Sequence, residues 1–325
     1  MVVLRSFIED PTNFISEASD GINYVASLSG DSYIAALTAG GFIKSINKGD
    51  TWGDPFSAGV VYGTIFRTHS TVGAAPAGRL IISPGSNGVI PFQYISDDEG
   101  TTITAKLVMP IFGEVRGTSE KIVQTKQANK YLYVLHRSSP PTRLFKSADG
   151  GDSWTNATLI GVGYGSAMEV REAGTLEWMQ GTVTGFKHYK DVLGEGTTPV
   201  EQAEFVDEAG WNSYTLRSGY HSSDDMIGLA NIKTVGAEKR LVFVTVDALG
   251  NQVLQYESGD LGLTSLDFIT AVPHISGKWT VSCGTTTKAR WYVSANGDPT
   301  SWSLLKEQDL GGALEGQLSN LLPVY

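Results

Sequence analysis

The sequence predicts an all-β fold built from six repeated units of four strands. Three observations indicate this fold class: a turn motif that recurs at a fixed spacing, short apolar strands that alternate with Gly-, Pro- and Asn-containing turns, and the absence of helical periodicity. The chain has 325 residues, of which 38 are glycine and 41% are hydrophobic. This composition is typical of a packed chain with many tight turns.

Three segments share one turn pattern, in which a serine is followed two residues later by Asp or Asn and four residues later by Gly. They begin at Ser45, Ser96 and Ser147, at a constant spacing of 51 residues, and the first and third end on tryptophan. The third residue can accept N–H groups of its own turn, the glycine tolerates a positive φ, and the tryptophan is expected to pack back on its own sheet. Looser copies begin at Ser258 and Ser294, and a degenerate one at Val206, which makes six. The third-position residues of the five clearer copies are Asn47, Asp98, Asp149, Asp260 and Asn296.

This pattern resembles the Asp box, or bacterial neuraminidase repeat, of sialidase-like β-propellers. The resemblance extends over nearly the whole chain and implies a six-bladed β-propeller, with residues 1–325 forming a single domain. A four-stranded blade takes about 40–45 residues, so six blades with longer loops account for the chain. The resemblance also places the boxes on the outer rim, so their Asp and Asn side chains are interpreted as turn caps and not as catalytic groups.

Each box is predicted to follow a hairpin of two apolar strands. In the fourth unit these strands are expected at residues 182–186 and 201–205, directly before the degenerate copy. The N-terminal segment 2–8 is also strand-like, and it is a candidate to supply a missing strand to the C-terminal blade, since an open ring would leave two sheet edges exposed.

Charge and segment composition exclude several functional classes. With 24 Lys and Arg against 34 Asp and Glu, the net charge of −10 disfavours binding to nucleic acid or to anionic lipid. No apolar run is long enough to span a membrane, and the N-terminus does not read as a secretory signal, so we expect synthesis in the cytoplasm. The single cysteine, Cys283, excludes an intrachain disulfide and is expected to be a buried apolar residue. The five histidines are scattered without zinc-ligand spacing, so neither a metal nor a cofactor is expected.

Polar residues cluster where the innermost strand of each blade is expected. In one interpretation they line an axial funnel and bind an anionic sugar, with arginine holding its carboxylate. In the other, which is favoured, they form paired Glu–Arg ladders that satisfy a polar channel. These candidates are Arg67, His69, Glu114, Arg116, Glu169, Arg171, Tyr220 and His221.

Family sialidases combine an arginine triad with a tyrosine nucleophile assisted by a glutamate, and they carry a Phe/Tyr-Arg-Ile-Pro stretch before the first box. This chain lacks that stretch. The first hypothesis is therefore a non-catalytic structural or receptor- or glycan-recognition module, such as a bacteriophage tail component. Its partners would be other virion or assembly proteins, or a cell-surface glycan.

Two alternatives stay open. One is a sialidase-like glycoside hydrolase, with Tyr220 as nucleophile assisted by Glu169, and with Arg67, Arg116 and Arg171 holding the substrate carboxylate. The other is an assembly factor that docks a partner on one face.

Overall fold

A computed structural model provides the structure of the protein. It describes residues 3–4, 14–15, 22–30, 32–37, 40–47, 51–56, 62–84, 92–107, 119–124, 131–136, 143–159, 164–171, 173–182, 184–191, 200–206, 216–221, 224–263, 268–273, 278–284 and 288–309. No helix long and apolar enough to cross a membrane occurs in these ranges.

Regular structure in the described ranges consists of β-strands. In chain order they are β1 (Val3–Leu4), β2 (Phe14–Ile15), β3 (Ile22–Ser27), β4 (Tyr33–Leu37), β5 (Phe42–Ser45), β6 (Tyr62–Arg67), β7 (Leu80–Pro84), β8 (Phe92–Ser96), β9 (Thr104–Leu107), β10 (Ser119–Gln124), β11 (Leu132–His136), β12 (Arg143–Ser147), β13 (Thr155–Leu159), β14 (Tyr164–Val170), β15 (Leu176–Gly181), β16 (Gly185–Asp191), β17 (Val200–Val206), β18 (Arg217–His221), β19 (Met226–Val235), β20 (Glu238–Val246), β21 (Gln252–Glu257), β22 (Phe268–Pro273), β23 (Trp279–Gly284), β24 (Lys288–Ser294) and β25 (Ser303–Asp309).

Apart from the small pair β1–β2, these strands form six antiparallel sheets whose strand order follows the chain. We number them sheet 1 (β3–β5), sheet 2 (β6–β9), sheet 3 (β10–β13), sheet 4 (β14–β17), sheet 5 (β18–β21) and sheet 6 (β22–β25). The fourth position of sheet 1 is a single bridge between Phe42 and Phe56. Neighbouring strands joined by short connections pair in this up-and-down order because the loop-closure cost is then smallest.

The chain divides into two compact units. Unit 1 contains sheets 1–3 and unit 2 contains sheets 4–6. Within each unit the first strands of successive sheets contact one another: β3 with β6 and β6 with β10 in unit 1, β14 with β18 and β18 with β22 in unit 2.

Apolar side chains between successive sheets form the cores. One cluster lies between sheets 2 and 3, around Ile81 and Phe145; a second lies between sheets 4 and 5, around Phe186 and Val244; a third lies between sheets 5 and 6. The third cluster includes Cys283, and burial raises the pKa of its thiol to about 12. The cysteine is thus a buried apolar residue, as the sequence predicts.

Four of the six predicted turn motifs occupy equivalent positions. The copies that begin at Ser45, Ser96, Ser147 and Ser294 all follow the third strand of their sheet. The prediction is wrong for the other two, because Ser258 follows β21 and Val206 ends β17, and both are fourth strands. The third-to-fourth turn of sheet 5 is instead formed by residues 247–251, and most of the Val206 copy lies outside the described residues.

In the equivalent turns the serine and the third residue cap the turn together. Ser96 Oγ donates to Asp98 Oδ1 at 2.8 Å and accepts the N–H of Gly100 at 2.7 Å, while Asp98 Oδ1 accepts the N–H of Thr102 at 2.7 Å. Gly100 has a φ of 84°, a conformation that favours glycine. The hydrogen bonds that Asp98 accepts lower its pKa, and the bond from the Thr102 N–H contributes most. The turns at Asn47 and Asp149 repeat the serine-to-cap bond and the bond from the residue four positions on.

The turn at Asn296 has a related cap, in which Asn296 Oδ1 accepts the N–H of Asp298 at 3.1 Å. The residue Asp260 behaves differently, because its Oδ1 accepts the N–H of Lys239 at 3.1 Å and of Gly262 at 3.0 Å. Asp260 therefore braces the β19–β20 hairpin of sheet 5 and does not close a third-to-fourth turn.

Two motif tryptophans, Trp154 and Trp302, contact the preceding sheet as well as the core beside their own. Trp154 of sheet 3 donates its indole N–H to Gln93 Oε1 of sheet 2 at 2.8 Å. Trp302 of sheet 6 lies against Phe243 and Tyr256 of sheet 5, with ring centroids 4.7 and 5.3 Å apart. The local pattern therefore fixes the turn, whereas the tryptophan joins neighbouring sheets.

One further strand prediction is wrong. Thr182 lies in the turn between β15 and β16, where its N–H donates to the Gly185 carbonyl, so residues 182–186 are not one strand. Of the N-terminal segment 2–8 the structure describes Val3 and Leu4, which pair with Ile15 and Phe14; a pairing of this segment with the C-terminal blade stays a prediction.

Candidate functional site

Most of the predicted site residues lie on or directly after a first strand. Arg67 ends β6 and His69 follows it; Glu169 lies on β14 and Arg171 directly follows that strand; Tyr220 and His221 end β18. Glu114 and Arg116 lie outside the described residues.

These residues share an end of their sheets with the capped turns. In an up-and-down sheet the first-to-second and third-to-fourth connections lie at the same end, because the strand direction reverses at each turn. In unit 1, Arg67 and His69 thus lie at the end of sheet 2 that carries the turn at Asp98. In unit 2, Tyr220 lies at the end of sheet 5 that carries the turn at Asp247, and Arg171 lies in the first-to-second connection of sheet 4.

Arg171 belongs to a buried charged cluster in unit 2. Its guanidinium forms a bidentate pair with Glu177 of β15, with the NH2 nitrogen 3.0 Å from Glu177 Oε2. His188 Nε2 lies 2.8 Å from the same oxygen, and Lys190 Nζ lies 3.8 Å from Oε1. Glu177 and His188 have no exposed surface, and Arg171 is 2% exposed.

The N–H groups of Arg171 that Glu177 does not accept donate to backbone carbonyls in and next to the strands of sheet 5. NH2 lies 3.1 Å from the Val246 oxygen and 2.7 Å from the Asp247 oxygen, and NH1 donates to the Asp225 oxygen. All three guanidinium nitrogens therefore have protein acceptors. A buried arginine in this arrangement is not available to bind the carboxylate of a ligand.

The partner of Arg171 differs from the one that a Glu169–Arg171 ladder implies. Ser218 Oγ of β18 donates to Glu169 Oε1 at 3.0 Å, while Glu177 pairs with Arg171. Sequence reasoning missed Glu177 and His188. The available signal was a charged residue inside the apolar run 176–181, since a buried carboxylate requires a partner.

Electrostatics agree with a fixed ion pair. Burial raises the pKa of Glu177, but the hydrogen bonds from His188 and Arg171 outweigh it, and the net shift is downward. The carboxylate is therefore held in its ionised form by its partners.

Tyr220 lies beside the same cluster. Its hydroxyl donates to Asp225 Oδ1 at 2.6 Å, and the tyrosine is 4% exposed. Asp225 has a φ of 48°, an uncommon conformation for a residue other than glycine. The hydrogen bond to Tyr220 and the bond from Arg171 to its carbonyl hold Asp225 from two sides.

In unit 1, Arg67 is half-buried and its NH2 lies 3.2 Å from Glu99 Oε1. Glu99 also accepts the backbone N–H and the hydroxyl of Ser29, both at 2.8 Å. Burial opposes ionisation of Glu99, but the bonds from Ser29 and the charge of Arg67 lower its pKa. His69 donates its backbone N–H to Gln124 Oε1 at 2.8 Å. No group of three or more His, Cys, Asp or Glu side chains able to hold a metal occurs among the described residues.

Comparison with known proteins defines the fold. No family model matches the chain, and no curated protein matches its sequence. Among solved structures, it is similar to YCF48 bound to a D1 peptide, with 12% identity, a TM-score of 0.56, and coverage of 89% of this chain and 82% of that chain.

Two glycan-active proteins are similar to the same degree. The GH74 enzyme of Niastella koreensis is 14% identical with a TM-score of 0.58 over 87% of this chain and 46% of that chain. The leech intramolecular trans-sialidase is 11% identical with a TM-score of 0.54 over 81% of this chain and 64% of that chain. All three are β-propellers, and at these identities the likeness extends to the fold alone. The chain is an all-β protein with a β-propeller fold.

Proposed function

We propose that the chain is a six-bladed Asp-box β-propeller, a single domain over residues 1–325, that serves as a non-catalytic structural or recognition module. We place it in a bacteriophage virion after synthesis in the cytoplasm. There it would contact other virion or assembly proteins, or a glycan of the cell surface.

The engagement of Arg171 carries this proposal. A sialidase-like site needs arginines whose guanidinium faces the substrate carboxylate. Arg171 instead contacts Glu177 and three backbone carbonyls, and it is 2% exposed. Releasing it would remove the bidentate partner of the buried Glu177 carboxylate, which is strongly unfavourable.

A second observation favours a polypeptide partner over a substrate. YCF48, whose fold this chain shares, is described bound to a D1 peptide. A β-propeller can therefore hold a peptide segment of another protein, and an assembly factor of that kind falls within the proposed class.

The alternative is a sialidase-like glycosidase, and one specific observation favours it. The Tyr220 hydroxyl lies 2.6 Å from a carboxylate oxygen of Asp225, a partner able to accept the phenol proton. Arg67 is half-buried, and its Nε has no hydrogen-bond partner among the residues that the structure describes. These two residues would then be the nucleophile and one arm of the carboxylate clamp.

A turnover assay separates the two. Purified protein would be incubated with fluorogenic sialosides and with a panel of polysaccharides, beside the Tyr220→Phe variant. We expect no turnover from either protein. Turnover by the wild-type chain that Tyr220→Phe abolishes, with an unchanged circular dichroism spectrum, would establish the glycosidase instead.

The virion assignment has its own test. Particles purified from the phage that encodes the chain would be analysed by mass spectrometry. The polypeptide is expected at a stoichiometric level, and its absence from the particles would refute this part of the proposal without bearing on catalysis.

A further inference from the structure

One arginine in each unit occupies the same topological position. Arg79 lies in the connection between the first and second strands of sheet 2, directly before β7. Arg171 lies in the corresponding connection of sheet 4, directly after β14. The sequences around them are unrelated, so no motif predicts the equivalence.

Arg79 joins sheet 2 to the next sheet. Its Nε and NH2 bind Asp97 of sheet 2 in a bidentate pair at 2.6 and 2.9 Å. Its NH1 donates to the Gly150 carbonyl at 3.2 Å and to Asp152 Oδ2 at 3.0 Å, both in the third-to-fourth turn of sheet 3. The arginine itself is buried, with 7% of its surface exposed.

Arg171 repeats the bidentate pair and the backbone bonds with different partners. Its bidentate carboxylate, Glu177, belongs to its own sheet, and it donates to the carbonyl of Val246, which ends the third strand of sheet 5, and to that of Asp247, which begins the following turn. In both cases a carboxylate of one sheet orients the guanidinium, and the remaining N–H groups reach backbone carbonyls of the following sheet.

We propose that Arg79 and Arg171 are inter-sheet latches, each of which holds the third-to-fourth turn of the following sheet against the first-to-second connection of its own. The planar guanidinium suits this role because it can bind a carboxylate on one edge and carbonyls on the other. Lysine offers a point charge and cannot reproduce both sets of bonds.

The junction of sheets 1 and 2 makes a related contact in which the charge lies on the acceptor. The first-to-second connection of sheet 1 supplies neutral donors from Ser29, and the third-to-fourth turn of sheet 2 supplies the carboxylate of Glu99. Contact between these two connections thus recurs, and the arginines are its form with a cationic donor.

If the arginines act as latches, local opening of each third-to-fourth turn depends on the one arginine that holds it. Hydrogen–deuterium exchange of the full chain, read by mass spectrometry, would be compared for wild type, Arg171→Lys and Arg79→Lys. We expect Arg171→Lys to speed exchange of the peptide over residues 247–251 by about tenfold or more and to leave the peptide over residues 147–154 unchanged. Arg79→Lys should give the reverse pattern, so each variant is the matched control of the other.

Two milder variants cover the case in which a lysine variant does not fold. Asp97→Asn and Glu177→Gln keep the size of each carboxylate but remove its charge, and they should accelerate the same peptides in the same selective way. Equal acceleration of both peptides in every folded variant, or acceleration of neither, would overturn the proposal, because a latch acts on one turn and a general loss of stability acts on both.

Discussion

Trp154 offers a quantitative test of how neighbouring sheets are joined. The indole is 2% exposed, packs in the cluster between sheets 2 and 3, and donates to Gln93 Oε1 at 2.8 Å. Trp154→Phe removes two ring carbons, worth about 1.6 kcal/mol at ~0.8 kcal/mol per buried carbon. It also leaves the buried Gln93 acceptor without its donor, at a cost of about 1–3 kcal/mol. The expected loss in the free energy of unfolding is therefore about 2.6–4.6 kcal/mol.

A double-mutant cycle isolates the hydrogen bond from the packing. Gln93→Leu alone leaves the indole N–H without its acceptor, whereas the double variant removes both polar groups. The stability losses of the two single variants together should therefore exceed that of the double variant by about 1–2 kcal/mol. Urea unfolding followed by circular dichroism measures all four proteins. A coupling below about 0.3 kcal/mol would refute the reasoning, because the tryptophan would then act only as apolar bulk.

The remaining predictions concern a turn glycine and an ionised group. Gly150→Ala should lower the free energy of unfolding by well over 1 kcal/mol, since φ is 67° and the new Cβ would lie 2.2 Å from Ala75 Cβ. The control is Gly262→Ala, which has a similar φ of 63° but open space around it and should cost only about 1 kcal/mol. Urea unfolding measures both variants, and equal costs would contradict the packing argument. The pKa of Glu177 is lower in the folded chain than in the unfolded one, so its ionised form adds stability above pH about 4.3 that is lost as the pH falls through the folded value. The stability gap between wild type and Glu177→Gln should accordingly narrow from pH 7 to pH 3 in thermal melts, and a gap independent of pH would contradict the assignment.

Much of the fold can be predicted from the sequence because its signals are local. The spacing of Ser45, Ser96 and Ser147 places three turns at equivalent positions, and Ser294 adds a fourth. The same reasoning fails at Ser258, where similar residues follow the fourth strand and brace another hairpin. A short polar turn motif looks the same in sequence whether it follows the third or the fourth strand of a sheet. Only the pairing of the flanking strands distinguishes the two positions.

The candidate site was less predictable. The positions of Arg67, Arg171 and Tyr220 on or after first strands follow from strand order, but their partners do not. Arg171 reaches Asp247 across 76 residues, and Arg79 reaches Asp152 across 73. No periodicity or motif encodes such pairs, since they depend on which sheets lie side by side.

By itself, the sequence determined the all-β class, the strand pattern and the capped turns, because each of these rests on hydrogen bonds and burial within a few residues of chain. The tertiary structure alone decided where the tryptophans pack, which carboxylate each arginine binds, and that Arg171 is engaged internally. The physical reason is that a buried charge takes whichever partner packing brings within reach, and packing between sheets is a property of the whole unit.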